Sequence, residues 1–148
     1  MPFVEPQYLL TLKTISSKKV EMESEKMMTL NKHIDEANTS LSTLVQYRND
    51  YLKRLALELE VGLSSKNYIN YQTFLQKLED AIVSQERQVT KLMNDLKVQR
   101  VIWLESQRKK MSYDVLSDQS EQQYKKVEAR KDQKLMDEFA MRSSRFTR

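Results

Sequence analysis

Leu57-Glu58-Leu59-Glu60-Val61-Gly62-Leu63-Ser64-Ser65-Lys66-Asn67 contains the only glycine in the chain and its only cluster of turn-forming residues. Glycine alone takes a left-handed backbone without a Cβ clash, so Gly62 is the one place where a helix can stop and reverse cheaply. Leu55, Leu57, Leu59 and Val61 alternate with a period of two, as a strand would. The run has no second strand to pair with, and Leu, Ala and Glu favour helix. The reading is therefore a helix that ends near Glu60, is capped by Gly62, and is followed by a second helix capped by Ser64 or Ser65.

Outward from this turn the apolar residues fall at alternating steps of three and four. Before it the stripe is Met27, Leu30, Ile34, Ala37, Leu41, Leu44, Arg48, Tyr51 and Leu55, with Arg48 placed to snorkel. Further upstream it weakens to Val20, Ile15 or Ser16, Leu12 and Leu9, with a phase shift. After the turn it is Tyr68, Tyr71, Leu75, Leu78, Ile82, Gln85, Val89, Leu92, Leu96, Gln99 and Trp103. Beyond Trp103, read as packing in the seam, the register blurs through Leu104, Met111, Val115 and Leu116, then thins to Tyr124, Val127, Leu135 and Met136.

So short a connection makes the two helices antiparallel neighbours. The expected fold is all-α: a long antiparallel two-helix coiled-coil hairpin, with helices over about 8–60 and 66–143 and the turn at Gly62. Mirroring about position 63 pairs Leu55 with Tyr71, Tyr51 with Leu75, and Leu44 with Ile82. The expected organisation is a single hairpin over 1–148, in which 122–148 has no partner within the chain and projects as a basic extension. At 1.5 Å per residue such a segment reaches nearly 40 Å, roughly, beyond the paired part.

Composition points the same way. Of 148 residues, 31% are charged and only three are Gly or Pro, which suits long helices rather than a layered core. There is no cysteine, which excludes disulfides and thiolate metal sites. The start, Met1-Pro2-Phe3-Val4-Glu5-Pro6, lacks a basic region followed by an apolar run, so no signal peptide is expected. The longest apolar stretch, Val101-Ile102-Trp103-Leu104, is far too short to span a bilayer. These features predict a soluble, cytoplasmic protein. The net charge of +4 lies wholly in the last segment: residues 1–121 balance 17 basic against 17 acidic, whereas 122–148 carry 8 and 4. Such an end suits either solvent or an acidic partner surface.

Catalytic chemistry finds no foothold. One glycine cannot build a phosphate-binding loop. His33 is the only histidine and sits on a charged face beside Lys32. Asp35-Glu36 and Asp137-Glu138 are adjacent pairs, so their carboxylates point apart on a helix. No cofactor and no metal site is expected. The informative surplus is apolar: near the turn, Tyr47 on the first helix and Phe74 and Ala81 on the second extend the stripe outside the seam. An exposed aromatic patch of this kind marks an interaction surface.

With those residues in view, the chain resembles the FliJ family of flagellar type III export components. The resemblance is carried by Gly62-Leu63-Ser64-Ser65-Lys66-Asn67-Tyr68-Ile69-Asn70-Tyr71-Gln72-Thr73-Phe74-Leu75-Gln76-Lys77-Leu78-Glu79. It returns in Lys131-Asp132-Gln133-Lys134-Leu135-Met136-Asp137-Glu138-Phe139-Ala140, and in Tyr47, Asn49, Tyr51 and Trp103. It implies an antiparallel two-helix coiled coil, similar in shape to the central stalk of rotary ATPases. The implied partners are the hexameric flagellar export ATPase, the large cytoplasmic domain of the membrane export gate, and export chaperones. The implied gate surface is Leu44, Tyr47, Tyr51, Phe74, Leu78 and Ala81. Ser40 and Gln85 complete it by position, although both depart from the residues usual in the family. The implied ATPase-ring surface is Arg130, Lys131, Lys134, Asp137, Glu138 and Phe139. The resemblance also implies a place at the flagellar base, on the cytoplasmic face of the inner membrane and touching the membrane only through partners.

Two rival readings use the same features. One is the equivalent stalk of an injection-type secretion system. The other is a basic coiled-coil nucleic-acid binder resting on the C-terminal charge and Tyr124. Glu128, Asp132, Asp137 and Glu138 interrupt that charge and would repel phosphates, so no nucleic-acid partner is expected.

Overall fold

The computed structural model describes residues 2–146 and consists of two helices, α1 (Gln7–Val61) and α2 (Ser65–Phe146), packed against each other as a helical hairpin. Among the described residues there is no strand, so the period-two run before Gly62 is helical, as expected. α1 starts and ends one residue outside the expected bounds, and α2 starts one residue earlier and runs three residues further.

The connection is built as the sequence predicts. Gly62 has φ +111°, and its N–H donates to the carbonyl of Glu58 at 3.0 Å, closing the end of α1. Between Ser64 and Ser65, the cap of α2 is Ser64: its Oγ accepts from the N–H of Asn67 at 3.3 Å, and its carbonyl accepts from the N–H of Tyr68 at 3.0 Å. Tyr68 departs from the expected seam. It is 42% exposed and its hydroxyl accepts from Gln72.

The chain divides into two compact units. One spans Glu23–Ile102; the other joins the residues up to Met22 with those from Trp103 onward. In the first, Ile34, Ala37 and Leu55 of α1 and Leu75, Leu78 and Ile82 of α2 form the buried seam, with Leu30, Leu41, Leu44, Val89, Leu92 and Leu96 half-buried beside them. These are the heptad positions. The register differs from the expected mirror by one helical turn. Tyr51 lies against Tyr71 with ring centroids 4.9 Å apart, Gln85 donates to the carbonyl of Ala37 at 3.0 Å, and Gln99 donates to the carbonyl of Glu23 at 3.1 Å. The midpoint of each pair is residue 61, not 63. A shift by a turn returns the same face of a helix to its partner, which is why the apolar stripes coincide in either register.

This seam also contains a carboxylate. Glu23 is 1% exposed, and besides the carbonyl contact its Oε2 accepts a short hydrogen bond from the Gln99 amide. Lys26 lies 3.5 Å from its other oxygen. An ionised group so deep is tolerable only with such partners.

In the other unit the seam is mostly polar. Among the described residues Leu9 is its one buried apolar residue; Ser16, Ser106 and Ser117 are buried with it. Trp103, Lys110, Tyr113, Ser120 and Tyr124 are half-buried. On α2 the steps of three and four therefore continue unbroken to Tyr124. Leu104, Met111, Val115 and Leu116 all face solvent. The residues before α1 dock here as well: the Phe3 ring lies 5.4 Å from that of Tyr124, and Glu5 accepts hydrogen bonds from Ser117 and from Lys13 at 3.3 Å.

The Ser117 hydroxyl, and then the Lys13 ammonium, hold the Glu5 carboxyl below its ordinary value of 4.5. A lowered folded value means the carboxylate contributes its full stabilisation above the ordinary value and loses it as pH falls through the lowered one. Acidification below about pH 4.5 is therefore expected to undock the N-terminal residues first. Hydrogen exchange at the amides of Leu9 and Leu10 as a function of pH checks this.

After Tyr124, every described residue except half-buried Glu128 is exposed, through Phe146. Thr147 and Arg148, the end of the expected 122–148 extension, lie outside the described residues.

Candidate binding surfaces

Two stripes flank the seam near the turn. On α1 they are Ser40, Leu44, Tyr47 and Tyr51; on α2 they are Phe74, Leu78, Ala81 and Gln85. Both step by four, three and four, so each stays on one helix edge over about three turns, or roughly 16 Å. Tyr51 ties them together. Its ring lies 4.5 Å from that of Phe74 and tilted by 48°, within the favourable range for edge-to-face contact. Tyr71, on its other side, donates its hydroxyl to Glu58, and that bond, followed by burial, raises the phenol above its ordinary value of 10.0.

These rings form an open groove of about 450 Å³, lined by Tyr47, Asp50, Tyr51, Arg54, Phe74 and Leu78. Four of the eight residues assigned to the gate surface thus meet in one depression. Tyr47 is 61% exposed and Phe74 45%, so both rings face outward, whereas Leu78 sits at the groove floor as part of the seam. Leu44 and Ala81 are half-buried, Ser40 is exposed, and the Gln85 amide is committed to Ala37. Asp50 and Arg54 were not expected. The signal for them is spacing: they stand three and seven residues after Tyr47, hence on its edge of α1.

The second surface is the uncovered part of α2. Arg130, Lys131, Lys134, Asp137, Glu138 and Phe139 are all exposed there. Lys131 pairs weakly with Glu128 at 3.9 Å, and Asp137 accepts from Gln133 at 3.1 Å, both within the helix. Phe139 is 73% exposed, and Met136, Met141 and Phe146 are exposed too. Glu138, Met141, Arg142 and Arg145 border a shallow depression of about 270 Å³. This part of α2 thus presents exposed apolar side chains together with both signs of charge.

Among the described residues no group of acidic and histidine side chains could hold a metal ion, and no helix is long and apolar enough to cross a membrane.

Comparison with known proteins agrees with the motifs. The family model described as flagellar FliJ protein matches residues 6–146. The flagellar FliJ protein of Escherichia coli (strain K12) is 30% identical over 136 residues, which cover 92% of each chain. That of Salmonella typhi is 31% identical over 136 residues, with the same coverage. Spanning both helices, the turn and the exposed end of α2, these matches show that the chain belongs to the flagellar FliJ protein family.

Proposed function

We propose that this chain is a non-enzymatic stalk and adaptor of the flagellar type III export apparatus. Its aromatic groove takes the large cytoplasmic domain of the export gate, and the uncovered part of α2 takes the export ATPase ring. Export chaperones are further partners. It works at the cytoplasmic face of the inner membrane and reaches the membrane only through these proteins. The observation that carries the reading is the convergence of Tyr47, Tyr51, Phe74 and Leu78 in one groove, in a member of the flagellar FliJ family.

The chemistry of each surface suits its task. Outward-facing Tyr and Phe rings are the side chains that most often anchor protein contacts. The uncovered helix mixes exposed apolar residues with both signs of charge. A helix of that length without a neighbour is marginal in water, so a ring that grips it supplies the missing contacts. By binding some subunit arrangements more tightly than others, the helix biases the ring toward those arrangements.

A chain truncated after Glu121 is expected to lose stimulation of the export ATPase while its affinity for the gate domain stays unchanged. Steady-state ATP turnover and a titration with the gate domain check the two halves separately. Loss of gate binding with stimulation intact would overturn the assignment.

A further inference from the structure

Asp50 and Arg54 line the groove among the rings. Both are exposed, and among the described residues neither forms an ion pair. They stand four apart on α1, acid before base, a spacing at which such pairs often close on a helix. Glu58, one turn beyond Arg54, accepts the Tyr71 hydroxyl. The groove therefore presents one acceptor and one donor of full charge, about 6 Å apart along the axis.

An apolar groove alone would accept an apolar segment in either direction. Two opposite charges at its edge remove that freedom, because reversing the segment sets like charges against each other. We infer that Asp50 and Arg54 are specificity-determining residues of the gate contact. The occupant is a segment that lays an apolar side chain against Tyr47, Tyr51 and Phe74, a basic group toward Asp50 and an acidic group toward Arg54. This rests on the gate reading above.

The test uses the full chain, with the purified cytoplasmic domain of the gate's large subunit as the probe. Wild type, Phe74→Ala, Asp50→Asn and Arg54→Gln are titrated at low and moderate salt. Asp50→Asn and Arg54→Gln are each expected to bind about five- to tenfold more weakly at low salt, with a flatter salt dependence than wild type. Both positions are exposed, so helix content by circular dichroism should match wild type. If Phe74→Ala loses binding while both charge variants stay within about twofold of wild type, the inference is overturned and the gate reading stands. If wild type does not bind the probe, the gate reading falls and this inference with it.

Discussion

Gln99→Leu should destabilise the chain by about 3 kcal/mol, whereas Glu23→Leu/Gln99→Leu should be neutral or more stable than wild type. The Glu23 carboxylate is buried, and the Gln99 amide donates both to it and to the Glu23 carbonyl. Replacing the amide with an apolar group of similar size leaves the charge without that donor. Replacing both residues removes the charge together with the need for a donor, and two leucines extend the apolar seam. Chemical denaturation followed by circular dichroism measures both changes. A double variant no more stable than Gln99→Leu would show that the polar pair is not what sets the cost.

Tyr47→Ala/Phe74→Ala should weaken binding of the gate domain at least about a hundredfold, a loss of roughly 2.7 kcal/mol. Both rings face outward, so their truncation removes contact area offered to a partner rather than core packing. Phe74 also holds the Tyr51 ring in place, so part of the loss comes from a groove wall that is no longer fixed. Because the two changes share that wall, their effects should not add. Thermal unfolding should move little. Isothermal titration against the gate domain, beside a melting curve, separates the two effects, and retained affinity would remove the groove from the contact.

The seam of Glu23–Ile102 is legible in the sequence because its buried positions carry the residues that heptad reasoning looks for. Ile34, Ala37, Leu55, Leu75, Leu78 and Ile82 are apolar, and Gln99 keeps the spacing. Gly62 is legible because nothing else in the chain could make the turn. Past Trp103 the signal fails for a physical reason. There the buried α2 positions are Ser106 and Ser117, and Ser16 is buried on α1. Their hydroxyls need no apolar neighbours: Ser16 and Ser106 donate to carbonyls of their own helix, and Ser117 donates to Glu5. Apolar periodicity cannot see such a seam, and it points instead to Leu104, Met111, Val115 and Leu116, which face water. Buried Glu23 escapes for the same reason, since its burial depends on a partner 76 residues away. In the groove the rings are readable as surplus over one stripe, while Asp50 and Arg54 look like any solvated charges until the rings around them are placed.

The docking of Glu5 onto Ser117, across 112 residues of chain, bears on how the protein is made. At ribosomal rates of about 5–20 residues per second, the N-terminal residues wait roughly 6–22 s for Ser117 to be synthesised. The residues flanking Gly62 meet early, since closing a short loop costs little entropy, and pairing can advance from there as the nascent chain lengthens. During that interval the first turns of α1 have no mate and are open to a holdase. The Phe3 and Glu5 contacts are thus among the last to close, since they wait for residues up to Tyr124.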